Sequence, residues 1–134
     1  MKAVVSSSLV RVRYSEADPM GVAYHANYFA WFEVGRSDLL RHLGFSFRGL
    51  QEQGFCFPII EAQARFRRSA RYDDVLDIRT SVNFVSGVRV GFTYEVHRND
   101  DTDNPLATAA TVHAAVDLSG RPRRLPADLR RMLA

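Results

Sequence analysis

The chain has 134 residues, of which 46% are hydrophobic and 25% are charged, and its formal net charge at pH 7 is +3. This composition excludes a disordered chain, and the length predicts one domain spanning residues 1–134. The single cysteine excludes an intramolecular disulfide framework and any zinc or iron–sulfur site that needs several cysteines.

The first two predicted elements are a strand and a long helix. Val10, Val12 and Tyr14 alternate with arginines, which is the pattern of a strand. From residue 27 to about residue 42 the apolar residues recur at steps of three and four, and Gly44 is a typical residue just after a helix. The polar side of this helix is expected to carry Arg36, Asp38 and Arg41.

Four later segments alternate apolar and polar residues with a period of two, as antiparallel strands with one buried face do. They span residues 60–67, 76–84, 88–97 and 106–116, and residues 126–133 predict a short terminal helix. Together these elements predict an α+β fold in which one antiparallel sheet curls around one helix. One helix does not cover so wide a sheet, and edge pairing removes an exposed strand, so we expect a homodimer or homotetramer.

The segment between the first strand and the helix collects residue types that acyl transfer requires. It contains Glu16, Asp18, Gly21 and His25. Free N–H groups at a helix start stabilise negative charge, and a carboxylate facing them attacks a carbonyl or activates water. The same residues also have a purely structural interpretation, in which Asp18 opens a turn, Gly21 supplies positive φ and His25 packs or caps.

The run from Asp18 to Phe29, with Glu33 and Arg36 on the helix, closely resembles the signature of the hot-dog-fold acyl-CoA thioesterases. The branch that it resembles most is the 4-hydroxybenzoyl-CoA thioesterase family, including the small thioesterases associated with the Tol–Pal system. The resemblance implies a five-stranded antiparallel sheet wrapped around one long central helix, dimerised through continuous sheets. It also implies hydrolysis of an acyl-CoA thioester to free acid and CoA, with no cofactor.

The resemblance also implies roles for individual residues. Asp18 matches the catalytic aspartate, which acts as nucleophile or as general base on water. Tyr24 matches the position whose backbone N–H polarises the thioester carbonyl, and His25 matches an assisting or positioning histidine. Glu33 and Arg36 match helix positions with a structural role.

The candidates for binding the substrate are Gly21, on the glycine of the loop, and Arg67, Arg68 and Arg89. Forked guanidinium groups bind the phosphates of CoA well, although a solvated strand face explains any one of these arginines somewhat better. Two alternatives stay open: an acyl-carrier-protein thioesterase on the same fold, and a non-catalytic acyl-CoA- or RNA-binding protein. RNA binding needs exposed aromatic residues beside the arginines, and Phe66 falls in the apolar phase of its strand, so we expect no nucleic-acid partner.

Other chemistries lack their motifs. The sequence has no G-x-S-x-G elbow, Walker loop or H-E-x-x-H pattern, so we expect neither a serine triad nor a metal. Cys56 lies between two phenylalanines and is expected to be an inert buried thiol, while His97 and His113 fall at polar strand positions and receive no role. No apolar stretch has the length of a membrane span or a secretory signal, so we expect a cytoplasmic protein without stable membrane insertion.

Overall fold

A five-stranded antiparallel sheet and three α-helices make up the computed structural model, which describes residues 4–134. The strands are β1 (Val5–Arg11), β2 (Ile59–Phe66), β3 (Val75–Val85), β4 (Arg89–Arg98) and β5 (Ala107–Ala114), and the helices are α1 (Asn27–His42), α2 (Phe47–Glu52) and α3 (Ala127–Leu133). The strands lie in the order β1-β3-β4-β5-β2. Residues 1–3 of the predicted domain lie outside the described residues.

The structure confirms the predicted sheet and the predicted bounds of the main helix. Two elements differ from the prediction. The first strand ends at Arg11, so Val12 lies beyond it and Tyr14 belongs to a 3-10 turn, Tyr14–Glu16. Helix α2 was not predicted, because it has only six residues and includes Gly49, which weakens helix propensity. Its sequence signal is Ser46, whose Oγ accepts the N–H of Gly49 at 2.9 Å as an N-cap.

Helix α1 packs its apolar side against the inner face of the sheet. Phe32 is fully buried and stacks on Tyr94 of β4, with ring centroids 4.6 Å apart. The prediction that Arg36 lies on the solvated polar side of the helix is wrong, because its side chain is buried. Its long apolar stem packs inside, and its Nη2 lies 3.9 Å from the exposed Glu33 carboxylate.

The edge strand β2 also departs from the prediction of one buried face. Ile60, Ala62 and Phe66 on its apolar side are all exposed. The reason is the position of α1, which packs over β1, β3 and β4 and leaves the β2 edge of the sheet uncovered. The described chain therefore presents an uncovered apolar edge.

The expectation that His97 and His113 lie on the polar face of their strands is wrong, because both side chains are buried. His113 bonds to the carbonyl of Phe57 at 3.0 Å and to the Thr111 hydroxyl at 3.0 Å. His97 has Nε2 2.7 Å from the Glu95 carboxylate. Both ring nitrogens of His113 have hydrogen-bond partners, whereas Nδ1 of His97 is buried without one in the described chain. Apolar–polar alternation does not anticipate such partners.

Two further observations complete the fold. Cys56 is half-buried, so its thiol is less enclosed than expected. No helix among residues 4–134 combines the length and the apolar character needed to cross a lipid bilayer.

Candidate active site

A tight hairpin of residues 17–23 holds Asp18 between β1 and α1. The Asp18 N–H donates to the carbonyl of Val22 at 2.8 Å, and Gly21 turns the chain with φ of +77°. Asp18 Oδ1 accepts the N–H groups of Met20 at 2.9 Å and Val22 at 3.1 Å. Asp18 Oδ2 has no hydrogen-bond partner in the described part of the chain. One carboxylate oxygen therefore stabilises the turn, as the structural interpretation expects, and the other stays available.

This free oxygen belongs to a residue that lines a cavity of about 510 Å³. The cavity is lined by Asp18, Val22, Ala23, Tyr24, His25, Tyr28, Phe66, Arg67, Arg68 and Ser69. Of the predicted site residues, Gly21 and Arg89 do not line it. Among residues 4–134, no three or more His, Cys, Asp or Glu side chains are grouped so as to hold a metal ion.

The N–H groups at the start of α1 divide into engaged and free ones. The Tyr24 N–H donates to the carbonyl of Glu16 at 2.9 Å, so the amide that the resemblance implies is already occupied. The N–H groups of His25 and Ala26 have no acceptor among the described residues. The first amides of a helix lack intrahelical partners and carry its positive dipole end. The available donor beside the cavity is therefore the His25 amide, one residue beyond Tyr24.

Aromatic side chains form one wall of the cavity. The exposed His25 ring lies 6.1 Å from the Phe66 ring, and Phe66 lies 4.9 Å from Tyr28, measured between centroids. Phe66 is 46% exposed, which corrects the expectation that it is buried. Burial raises the pKa of Tyr28, whose hydroxyl accepts the Ala70 N–H at 3.3 Å. Sequence reasoning missed Phe66 as a site residue, and its position next to Arg67 was the available signal.

The three candidate arginines differ in position. Arg67 has no acceptor for its guanidinium within residues 4–134, whereas Arg68 pairs with Asp101 at 3.4 Å. Arg89 is the first residue of β4 and lies opposite residue 114 of β5 in the sheet. Phe66, at the end of β2, lies opposite residue 107 of β5. Seven residues of strand separate these positions by about 23 Å. Within one chain Arg89 therefore lies at the opposite end of the sheet from the cavity.

Known proteins resemble this chain in sequence and in fold. Residues 20–104 match the family described as Thioesterase superfamily. The chain is 34% identical over 121 residues to the acyl-CoA thioester hydrolase YbgC of Escherichia coli O157:H7, covering 90% of this chain and 89% of that protein.

Solved structures superimpose closely. The hypothetical protein TT1821 from Thermus thermophilus has a TM-score of 0.88 and 32% identity, covering 96% of this chain and 95% of that one. The DHNA-CoA thioesterase from Staphylococcus aureus has a TM-score of 0.85 and 31% identity, covering 90% of this chain and 80% of that one. With the sheet around α1 and the Asp18 cavity, these matches lead to one conclusion: the chain belongs to the thioesterase superfamily and is a hot-dog-fold thioesterase.

Proposed function

We propose that this protein hydrolyses an acyl-CoA thioester to a free acid and CoA. The observation that carries the proposal is that one cavity is lined both by Asp18, with a free carboxylate oxygen, and by His25, with a free N–H at the start of α1. The relatives named as an acyl-CoA thioester hydrolase and a DHNA-CoA thioesterase support the same substrate class.

The His25 N–H polarises the thioester carbonyl, which is the role that the resemblance implies for the Tyr24 N–H. It donates to the thioester carbonyl oxygen, and the positive end of the α1 dipole stabilises the charge that develops there. The Tyr24 amide does not take this part because Glu16 already accepts it. The His25 imidazole lies against Phe66 and positions the acyl group beside Asp18.

Asp18 Oδ2 supplies the reacting carboxylate, by one of two routes. As nucleophile it attacks the carbonyl carbon, the C–S bond breaks, and the CoA thiolate leaves and takes up a proton. Water then hydrolyses the mixed anhydride. As general base it removes a proton from the water that attacks the carbonyl directly. Single-turnover hydrolysis in ¹⁸O water separates the routes: label in Asp18 supports the anhydride, and its absence favours the general base.

The arginines of the cavity rim bind the phosphates of CoA. Arg67 is the stronger candidate, because its guanidinium is free while that of Arg68 pairs with Asp101 and bonds to the carbonyl of Asn104. A guanidinium suits phosphate through paired N–H donors. Gly21 contributes to the site by forming the turn that holds Asp18, because glycine adopts the positive φ of this position without steric strain.

Two chains pairing antiparallel through β2 would give Arg89 a place in the same site. Such pairing sets the Ile59 end of one strand beside the Phe66 end of the other. The partner subunit's Arg89 would then lie about three strand spacings, roughly 14 Å, from the Phe66 end of the first chain. The exposed apolar side of β2 supports this homodimer, because pairing removes an open edge.

A substrate panel tests the proposed function. Short aliphatic, long aliphatic and aromatic acyl-CoAs are compared by release of free thiol, with the Asp18→Asn protein as control. We expect at least one acyl-CoA to be turned over far faster by the wild-type protein than by the variant. The matched acyl-carrier-protein thioesters are assayed in parallel. No release above the variant from any acyl-CoA would contradict the proposal, and release only from the carrier protein would replace CoA as the substrate.

A further inference from the structure

Glu16 is a buried acidic residue two positions before Asp18, and it does not line the cavity. Its Oε1 accepts the backbone N–H of Arg13 at 2.7 Å, and its Oε2 accepts the indole N–H of Trp31 at 3.2 Å. The Arg13 guanidinium, which is largely exposed, lies 3.6 Å from Oε2. Both carboxylate oxygens are therefore occupied inside the protein, so the side chain does not react with substrate.

The main chain of Glu16 makes a second set of contacts. Its carbonyl oxygen accepts the N–H of Tyr24 at 2.9 Å and the side-chain amide N–H of Asn27 at 2.9 Å. Tyr24 directly follows the 17–23 hairpin, and Asn27 is the first residue of α1. One residue thus joins the two ends of the hairpin to each other and to the start of the helix.

The side chain extends this connection to the body of α1. Trp31 is buried in the core one turn beyond Asn27, so its indole N–H is a fixed point on the helix. The hydrogen bond from Trp31 to Oε2 holds residue 16 against that point. Asp18 follows two residues later in the hairpin, and the free His25 amide follows Tyr24. Glu16 therefore connects the segment that bears the Asp18 carboxylate to the segment that bears the His25 amide.

We infer that Glu16 is a positioning residue for thioester hydrolysis, an inference that rests on the proposed function. Through Trp31 and Tyr24 it holds the Asp18 carboxylate in register with the His25 N–H. Its carbonyl oxygen also accepts the Tyr24 N–H, which leaves the His25 N–H as the donor for the thioester carbonyl. Displacement of a catalytic group by about 1 Å lowers turnover by about a hundredfold, so such a clamp acts on kcat.

Glu16→Gln tests the carboxylate specifically. Glutamine keeps the shape, but its amide places one NH₂ group against a donor, either the Arg13 N–H or the Trp31 indole N–H. We expect kcat to fall by about tenfold to a hundredfold with KM nearly unchanged. Trp31 is the only tryptophan, so its fluorescence emission reports the same contact and is expected to shift. The matched control is Glu52→Gln, an exposed glutamate that pairs only with Arg48 in the described chain and should change neither readout.

Trp31→Phe removes the indole donor without touching Glu16 and keeps the test open if Glu16→Gln fails to fold. It should lower kcat by the same mechanism, and the double variant should lose less than the product of the two single effects. A folded Glu16→Gln protein with shifted Trp31 emission and kcat within twofold of wild type would overturn the inference. Unchanged emission and kcat would overturn it as well.

Hydrogen exchange separates this inference from the proposed function, because it needs no substrate. In Glu16→Gln we expect faster exchange of the Tyr24 N–H and of the amides in the 17–23 hairpin. Unchanged exchange overturns the clamp even if the wild-type protein hydrolyses acyl-CoA. If exchange is faster in Glu16→Gln but the wild-type protein hydrolyses no acyl-CoA, the positioning contacts of Glu16 are supported and only the proposed function is contradicted.

Discussion

The two carboxylate oxygens of Asp18 differ in their contacts. Oδ1 accepts two backbone N–H groups of the hairpin, and Oδ2 is free among the described residues. The hairpin therefore holds the carboxylate in place without using both of its oxygens. An enzyme gains rate when the reacting group is already oriented before the substrate arrives. The structural and the catalytic interpretations of this residue are thus compatible.

Asp18→Asn is expected to abolish most of the activity and to leave the fold intact. Asparagine Oδ1 still accepts the hairpin N–H groups, while the charge and basicity of Oδ2 are lost. We expect kcat to fall by about a thousandfold, roughly 4 kcal/mol of transition-state stabilisation. Thiol-release kinetics and thermal unfolding measure the two effects. The control is Asp100→Asn, an exposed aspartate outside the cavity. Near-normal turnover by folded Asp18→Asn would return the residue to a turn-forming role alone.

Arg67→Ala is expected to weaken substrate binding without slowing the chemistry. In the proposed binding mode its free guanidinium contacts a phosphate of CoA equally in the ground state and in the transition state. KM for acyl-CoA should rise by about threefold to tenfold with kcat nearly constant, because an exposed charged contact contributes about 1 kcal/mol. Arg65→Ala, in β2 two residues before Arg67 and outside the cavity, is the control of equal charge. An equal KM in both variants would place the nucleotide elsewhere.

His113 is expected to make stability depend on pH. Burial, together with the charge of Arg36, lowers the pKa of His113 to about 4. The hydrogen bond to the Phe57 carbonyl opposes both effects. Between pH 6.5 and 4 the unfolded chain therefore binds a proton that the folded chain does not. The free energy of unfolding should fall as pH falls through this window, by up to about 1.4 kcal/mol per pH unit.

Denaturant titrations of the wild-type protein and His113→Gln at several pH values measure this contribution. We expect the difference between the two proteins to shrink from pH 7 to pH 4 and to level off below about pH 4. His25→Gln, which changes an exposed imidazole, is the control for stability alone. A difference that does not vary with pH would show that the buried imidazole is protonated equally in both states.

At the scale of elements, the approach of α1 to the sheet positions the site. Gly35 faces β3 beside Thr80, whose hydroxyl is buried with no partner in the described chain. A methyl group on Gly35 would overlap Thr80 Oγ1 and lie 3.1 Å from Cγ2 of Ile78. The absence of a side chain at this position thus permits the close packing that orients the α1 N-terminus.

Gly35→Ala is expected to destabilise the protein although alanine favours helices. The added methyl group forces α1 away from β3, at a cost of about 1–3 kcal/mol for an overpacked core. Thermal or denaturant unfolding measures the loss. Ser37→Ala on the same helix already has a Cβ and should change stability little. Increased stability in Gly35→Ala would mean that the helix and strand separate at no cost.

At the scale of the whole molecule, the two edges of the sheet differ in what they offer a second copy. The β2 edge joins exposed apolar residues to the cavity through Phe66. The β1 edge also exposes apolar residues, including Leu9, but it lies at the other end of the strand order. In the proposed homodimer, pairing through β2 therefore places the second copy beside the cavity, while pairing through β1 places it at the opposite edge of the sheet.

Ile60→Asp is expected to produce a monomer with lowered activity. A carboxylate on the inner side of β2 opposes burial of that edge against a second copy. Light scattering at micromolar concentration and thiol-release kinetics measure both effects. Leu9→Asp places the same charge at the opposite edge, on a side chain that is 64% exposed, and should remain associated and active. A monomeric wild-type protein with full activity would contradict the shared site.

The sequence by itself determined the five strands, the main helix and the segment of the candidate active site. Period-two alternation identified the strands, and three- and four-residue spacing identified α1 with its observed bounds. These patterns are local, because they record which side of each element meets the core. The run from Asp18 to His25 was likewise recognisable, since the residue types for acyl transfer lie close together in the chain.

Only the tertiary structure decided which groups are free and which are covered. The engaged amide of Tyr24 depends on how the 17–23 hairpin folds back, and the buried Arg36 and the exposed Phe66 depend on how far the sheet and α1 cover each other. The separation of Arg89 from the cavity follows from strand order, which periodicity does not contain. Alternation shows on which side a residue lies, whereas hydrogen-bond partners and coverage are properties of the assembled layers.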